Sequence, residues 1–155
     1  MENFSIREVI EQAVQTEKLG YDFYTGASNR FRENDRLVKL FDILAGQELK
    51  HEKIFSQLRE KLKDEILENW EEASRYLRAI VESEFFLGKN KALTSLENLK
   101  SAEEAVQRAL GFEKETLLYY NGLRDIVKEK QLIDEIINEE KGHIVWLSEF
   151  GKVFI

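Results

Sequence analysis

The sequence predicts an all-helical fold, a bundle of four helices built from two copies of one helical hairpin. Two observations support this prediction: the composition favours long helices, and the two halves of the chain repeat one motif. The 155 residues include no proline and only 8 glycines, and 43% of them are hydrophobic. This is enough apolar material for a proper core, and a chain of this length usually forms one domain. We therefore expect a single domain over residues 1–155.

Each hairpin is expected to consist of two long helices joined by a short turn. The first hairpin spans residues 5–62 with a turn near Asn34, and the second spans 101–153 with a turn at 126–128. Ser5 and Ser101 each stand three residues before a glutamate. This capping-box spacing marks the start of a helix.

Residues 63–100 have no counterpart in the repeat, and we expect them to form a long crossover between the hairpins. They include a predicted helix over 69–86, followed by a break at 88–91. A crossover of this length can run along a bundle and carry its own helix.

The chain has only 2 histidines, and each follows a glutamate by three residues. The pairs are Glu48 with His51 and Glu140 with His143. Residues three apart are neighbours on a helix surface, so both members of a pair can reach one cluster. Two such Glu-x-x-His motifs on facing helices supply half of a metal site in a helical bundle.

The other half of such a site is one inward glutamate from each remaining helix, and Glu17 and Glu113 are the candidates. Glu17 precedes Glu48 by 31 residues, and Glu113 precedes Glu140 by 27. Each pair lies about equally far from its predicted turn. The four carboxylates are therefore expected to meet at one height in the bundle.

Four glutamates in a core need something to balance their charge. Burying an unpaired carboxylate costs several kcal/mol, which is large against the roughly 5 to 15 kcal/mol stability of a whole protein. Two divalent cations would balance four carboxylates and leave the histidines neutral, as ligation requires. Oxygen and imidazole ligands without thiolate suit iron, with manganese as the other candidate, better than structural zinc.

Tyr24 and Tyr120 stand seven residues after Glu17 and Glu113, two helical turns along the same face. Each hydroxyl is expected to reach a carboxylate or water of the opposite half and to orient the ligands. We predict no catalytic residue separate from the metal site.

Some conspicuous residues are given no part in this site. Trp70 and Trp146 are expected to be core or interface anchors. Four further glutamates are expected to be solvated surface charges, namely Glu82, Glu84, Glu115 and Glu139.

The composition argues against several classes of function. The net charge is −7, without a basic stripe, so we expect no nucleic-acid partner. No apolar run approaches the roughly 20 residues that span a bilayer, so no membrane association is expected. The first residues lack the apolar stretch of a signal peptide, and cysteine is absent. A cytoplasmic protein is therefore expected.

With these motifs, the sequence resembles the ferritin-like di-iron carboxylate superfamily, and most of all its rubrerythrin branch. The resemblance covers residues 5–62 and 101–153 and implies a ferritin-like four-helix bundle that holds two iron ions. It also implies that Glu48 and Glu140 bridge the irons and that Tyr24 matches a family tyrosine, as Tyr120 does. The ligands that the resemblance implies are Glu17, Glu48, His51, Glu113, Glu140 and His143.

The chain departs from the rubrerythrin pattern in two ways. Rubrerythrins carry an additional glutamate three residues after the ligand at Glu113, connected with redox-linked movement of iron, and this chain has Thr116 there. They also usually carry a rubredoxin domain with paired Cys-x-x-Cys motifs, whereas this chain has no cysteine. Electrons are therefore expected to come from an external donor.

The function that the resemblance implies is that of a non-haem di-iron redox protein. It would be an oxidoreductase of peroxidase or ferroxidase type, reducing peroxide or reacting with dioxygen in an oxidative-stress or iron-oxidation role. The oligomeric state stays open, although a homodimer is common in such bundles. Two alternatives stay open: an iron-binding or storage protein without turnover, and a metal-free helical interaction module.

Overall fold

The computed structural model describes residues 5–62, 70–82 and 98–154. Within these residues the fold is all-helical and contains no strand, as the sequence predicts. A short 3₁₀ segment, Lys152–Phe154, follows the last helix. The α-helices, in chain order, are α1 (Ile6–Arg30), α2 (Asp35–Lys61), α3 (Trp70–Glu82), α4 (Ala102–Arg124) and α5 (Lys130–Gly151).

Helices α1 and α2 form the first predicted hairpin. The predicted capping box at its start is present: the Ser5 hydroxyl accepts from the Glu8 backbone N–H at 3.2 Å, and the Glu8 carboxylate accepts from the Ser5 N–H at 3.4 Å. The chain reverses over residues 31–34. The Asn34 side chain then accepts from the Leu37 N–H at 3.1 Å, which caps α2.

Helices α4 and α5 form the second predicted hairpin, which reverses over residues 125–129. The Ser101 hydroxyl caps α4 by accepting from the Glu104 N–H at 3.1 Å. The Glu104 carboxylate accepts from the Lys100 N–H at 3.0 Å instead of from Ser101. The predicted capping box therefore forms with its return bond shifted by one residue.

The four long helices pack around one core. The main contacts join α1 to α2 and α4 to α5, while α1 also touches α4 and α2 touches α5. Apolar residues at helical spacing fill the interior between these helices, and they include Tyr24, Phe41, Phe55, Phe112 and Tyr120. Each long helix consequently turns one face towards a shared interior, and that interior contains the polar cluster described below.

Helix α3 belongs to the crossover and packs on α4. Its Leu77 is fully buried, and its Leu77 and Tyr76 side chains come within 3 Å of the position that a Cβ would occupy at Gly122. A close approach of this kind needs glycine at the contact. At the far end of the crossover, the Arg30 guanidinium donates to the Leu99 carbonyl at 2.7 and 3.0 Å.

The predicted crossover helix over 69–86 is confirmed for residues 70–82. Its remaining residues and the predicted break at 88–91 lie outside the described residues. Within the part of the chain that the structure describes, no helix combines the length and apolarity needed to cross a bilayer.

Candidate metal centre

The six predicted ligands meet in the middle of the bundle, and each is at most 1% exposed. Each long helix contributes at least one of them, because the inward face of every helix passes this level. Their arrangement by helix is Glu17 on α1, Glu48 and His51 on α2, Glu113 on α4, and Glu140 and His143 on α5.

One part of the cluster is arranged around His51. The Nδ1 atom of His51 lies 2.9 Å from Glu140 Oε1 and 3.5 Å from Glu17 Oε1. Ligand atoms of these three residues all lie within 4.8 Å of one another. We call this set, Glu17, His51 and Glu140, the His51 group.

The other part is arranged around His143. Its Nδ1 atom lies 3.3 Å from both Glu113 Oε1 and Glu140 Oε2, and 4.0 Å from Glu48 Oε1. Ligand atoms of these four residues also lie within 4.8 Å of one another. We call this set, Glu48, Glu113, Glu140 and His143, the His143 group.

The two groups touch through Glu140, which belongs to both and turns one oxygen towards each histidine. The two imidazole rings are nearly parallel, with centroids 6.1 Å apart. The structure therefore places two adjacent ligand sets at one height and shares a carboxylate between them.

Both predicted tyrosines reach the cluster from the opposite hairpin. The Tyr24 hydroxyl donates to Glu113 Oε1 at 2.6 Å, and the Tyr120 hydroxyl donates to Glu17 Oε1 at 2.5 Å. Burial and the nearby carboxylates raise the pKa of both phenols well above 10. The phenols consequently keep their protons and act as donors that fix two of the carboxylates.

Several buried polar atoms of the cluster have no hydrogen-bond partner among the described residues. A buried polar group without a partner costs about 1 to 3 kcal/mol, and a charged group costs more. These atoms are of the type that a divalent cation binds, so the donor set fits a pair of such cations. They are Glu17 Oε2, both oxygens of Glu48, Glu113 Oε2, Glu140 Oε2 and both ring nitrogens of His143.

Protons balance the carboxylates when no cation is present. Burial, together with repulsion from Glu17, raises the pKa of Glu48 well above its ordinary value. Burial and the neighbouring Glu140 raise the pKa of Glu113 to about 8. Burial alone would raise the pKa of Glu140 too, but the neighbouring Glu113 and His143 hold it below its ordinary value.

The two histidines also hold protons, because the neighbouring carboxylates stabilise the charged imidazolium. Burial opposes the charged imidazolium, but hydrogen bonds to Glu140 and Glu17 raise the pKa of His51 to about 11. The Glu113 and Glu140 carboxylates, each 3.3 Å from its Nδ1 atom, likewise outweigh burial and raise the pKa of His143 to about 10. A cation that binds these groups must therefore displace protons from them.

Gly20 sets the space that is left for Glu48. A Cβ atom at position 20 would lie 2.7 Å from Glu48 Oε2 and 2.9 Å from Phe112 Cε1. Both neighbours are fully buried, so neither can move out into solvent. Helix α1 therefore needs glycine here for the Glu48 carboxylate to keep its position.

Two glutamates that are predicted to be solvated surface charges are instead buried or in contact with the cluster. Glu115 is only 1% exposed, on the face of α4 that also carries Gly122 and is covered by α3. The Glu139 carboxylate, 34% exposed, contacts His51 Nε2 at 2.6 Å. The prediction is wrong for both residues, while Glu82 is exposed as expected and Glu84 lies outside the described residues.

The sequence contains a signal for one of these two misplaced glutamates but not for the other. Glu139 directly precedes the ligand candidate Glu140 on the helix that faces α2, which places it within reach of the far side of His51. Glu115 lies seven residues before Gly122, against which the crossover helix packs, and the crossover has no copy in the repeat. The pattern of the hairpins therefore could not indicate its burial.

Thr116, at the position of the additional rubrerythrin glutamate, lies next to the site and is 1% exposed. Its hydroxyl oxygen has no hydrogen-bond partner among the described residues. It is one turn from Glu113 on the inward face of α4. The chain thus puts a small neutral side chain where a further carboxylate would add negative charge.

A sequence profile of the rubrerythrin family matches residues 8–150, which is most of the chain and includes all six clustered residues. The chain belongs to the rubrerythrin family. Its membership confirms the resemblance that the two Glu-x-x-His motifs indicate. None of the curated proteins compared with this rubrerythrin-family chain matches it.

The fold is similar to that seen in the crystal structure of a protein from Thermotoga maritima. That protein is provisionally assigned as a ferritin-like diiron-carboxylate protein. The TM-score is 0.71 at 24% sequence identity, over 98% of this chain and 97% of that chain. At this identity the likeness shows the fold alone. It confirms the predicted ferritin-like bundle for this rubrerythrin-family protein.

Replacing Gly20 by alanine is expected to displace the Glu48 carboxylate and to weaken binding of a divalent cation roughly tenfold or more. The matched control is Gly46→Ala on α2, where a Cβ meets nothing within 4 Å. That variant should bind cations like wild type and gain about 0.5 to 1 kcal/mol from helix propensity. Calorimetric Mn(II) titration and urea unfolding measure both effects. Equal cation affinity in the two variants would contradict the role of Gly20.

The metal-free protein is expected to lose stability as the pH rises from about 5 to 8. Glu48 and Glu113 have raised pKa values in the fold, so they keep protons that the unfolded chain releases above its ordinary pKa of 4.5. Each retained proton lowers the free energy of unfolding by about 1.4 kcal/mol per pH unit in this window. Urea unfolding with chelator present measures the slope.

The variant Glu48→Gln serves as the control for this pH dependence. Glutamine has a similar shape but does not titrate, so the slope should become shallower. A metal-free wild type whose stability rises with pH across this window would contradict the protonated cluster.

Proposed function

We propose that this protein is a non-haem di-iron redox protein that reacts with peroxide or dioxygen. The observation that supports the proposal best is the buried set of four glutamates and two histidines, whose unpartnered atoms converge between four helices. Membership in the rubrerythrin family supports the same proposal.

The His51 group would hold one iron and the His143 group the other. Glu140 belongs to both groups and would bridge them. Glu48 would be the second bridge, because both of its oxygens are buried and lack a partner. Iron bound by these residues would supply the redox chemistry of the reaction with peroxide or dioxygen.

The remaining residues of the site control protons and water. Tyr24 and Tyr120 hold their protons on the phenol oxygen and orient Glu113 and Glu17. Apolar side chains such as Phe41, which is fully buried with its ring centroid 5.1 Å from that of Tyr24, would limit the access of water to the site. Electrons would come from an external donor, since the chain has no cysteine for a thiolate-bound centre.

The first test is the metal content of protein purified without added metal, followed by anaerobic Fe(II) loading and addition of peroxide or air. We expect about two irons per chain, as in di-iron bundles, and oxidation faster than that of Fe(II) in buffer. Uptake of many irons per chain in a large assembly would favour storage instead. The absence of tight metal after loading would favour a helical interaction module.

The variant Glu17→Ala separates the metal site from the fold. It is expected to lose metal from the His51 group, because one of three ligands is missing. The metal-free variant should be as stable as metal-free wild type or more stable, because one buried carboxylate disappears. Thermal unfolding with chelator and metal analysis measure the two effects. A large loss of metal-free stability would show that Glu17 acts as a structural ion-pair partner.

The variant Tyr120→Phe is expected to slow oxidation of the loaded protein and to weaken metal binding, because Glu17 loses the donor that fixes it. The effect of losing such a partner is about 10- to 100-fold. Tyr119→Phe is the matched control: its hydroxyl donates to the Val9 carbonyl at 2.9 Å and does not touch the cluster. Stopped-flow oxidation and calorimetry compare the two variants. Equal effects would mean that the Tyr120 hydroxyl only stabilises the fold.

A further inference from the structure

The two histidines are held differently on the side that faces away from the cluster. His51 Nε2 lies 2.6 Å from Glu139 Oε2. The other oxygen of Glu139 accepts from the Lys50 ammonium at 3.2 Å. Both oxygens of this carboxylate are therefore engaged, which fixes its orientation against the ring.

His143 lacks an equivalent support. Its Nε2 atom is buried and has no hydrogen-bond partner among residues 5–62, 70–82 and 98–154. The His143 ring lies beside the ring of Trp146, and the two ring centroids are 5.8 Å apart. Trp146 can cover the imidazole but offers it no carboxylate.

The repeat explains this difference in terms of sequence. Glu139 directly precedes Glu140, and the residue that directly precedes Glu48 in the first hairpin is Gln47. Gln47 is uncharged, and its side-chain oxygen is itself buried without a partner in the described part of the chain. The two hairpins thus carry the same ligand motif but differ by one charge immediately beside it.

A carboxylate on the far nitrogen of a histidine ligand has a known physical effect. It accepts the N–H of the neutral ring, fixes the tautomer and the ring orientation, and makes the other nitrogen a better ligand. In this structure that other nitrogen is Nδ1 of His51, which faces Glu17 and Glu140. Glu139 would therefore increase the affinity of the His51 group for a cation.

We propose that Glu139 makes the two halves of the site unequal, so that the His51 group binds the first divalent cation and the His143 group binds the second. Glu139 is a positioning residue in this proposal, because it acts through His51. The proposal rests on the metal site proposed above. It adds an order of loading and names the residue that sets the order.

The order of loading can be seen directly with Co(II). Crystals of metal-free protein are given one equivalent of Co(II), and anomalous scattering at the cobalt edge shows where it lies. We expect the main peak beside His51 Nδ1 in wild type. In Glu139→Gln, the peaks beside the two histidines should become comparable.

A solution titration measures the size of the effect. Glu139→Gln is expected to weaken the first Co(II)-binding step by about 10- to 100-fold and to leave the second step nearly unchanged. Glu135→Gln removes the same charge from an exposed position one turn away on α5 and should match wild type. Gln47→Glu places a carboxylate at the equivalent position of the first hairpin and should strengthen the second step. A residue that merely supports the fold would change both steps together, along with the unfolding temperature.

Several outcomes would overturn the proposal. A first cobalt beside His143, equal peaks in wild type, or an unchanged first step in Glu139→Gln would each show that Glu139 does not set the order, while the metal site itself would stand. A wild-type protein that binds no Co(II), Mn(II) or Fe(II) at all would overturn both the order of loading and the proposed function.

Discussion

The burial of six ionisable side chains in one apolar space is the constraint on which the rest of the structure depends. Four carboxylates at this position would repel one another, and their burial leaves this repulsion weakly screened by solvent. In the metal-free protein, protons on Glu48, Glu113 and both histidines reduce the charge. A cation that binds the folded cluster would therefore displace protons from these groups. The stability of the fold and the affinity for the cation consequently depend on the same atoms.

The tyrosines connect this constraint to the architecture. Tyr24 extends from α1 to Glu113 on α4, while Tyr120 extends from α4 to Glu17 on α1. The contacts between the hairpins along α1 and α4 thus include two buried hydrogen bonds from tyrosine to carboxyl groups. The same bonds restrict the rotation of two carboxylates. Gly20 restricts a third by leaving only enough room for Glu48.

Much of this site could be predicted from the sequence because the ligands repeat. Two Glu-x-x-His motifs and two glutamates at matching distances from the turns define one height in a bundle, and the structure brings all six side chains there. The local pattern did not reveal contacts that depend on how helices face one another across the bundle. Glu139 reaches His51 from another helix, and Glu115 is buried on a face covered by the crossover. Periodicity along one helix carries no information about the burial of Glu115, whereas the position of Glu139 directly before Glu140 indicates its contact with His51.

The two hairpins are alike at the ligands and differ next to them, and the crossover helps to explain why. Helix α3 packs mainly on α4, so the second hairpin is covered on a side where the first has no equivalent helix among the described residues. Because the environments differ, corresponding positions of the two hairpins make different contacts. Glu139 supports His51 with a charge, whereas Gln47 is neutral. Beyond the histidines, Trp146 lies beside His143, where the first hairpin has Ile54 at the corresponding position. A repeated Glu-x-x-His motif therefore does not give its two histidines equal surroundings, because the residues beside each histidine differ.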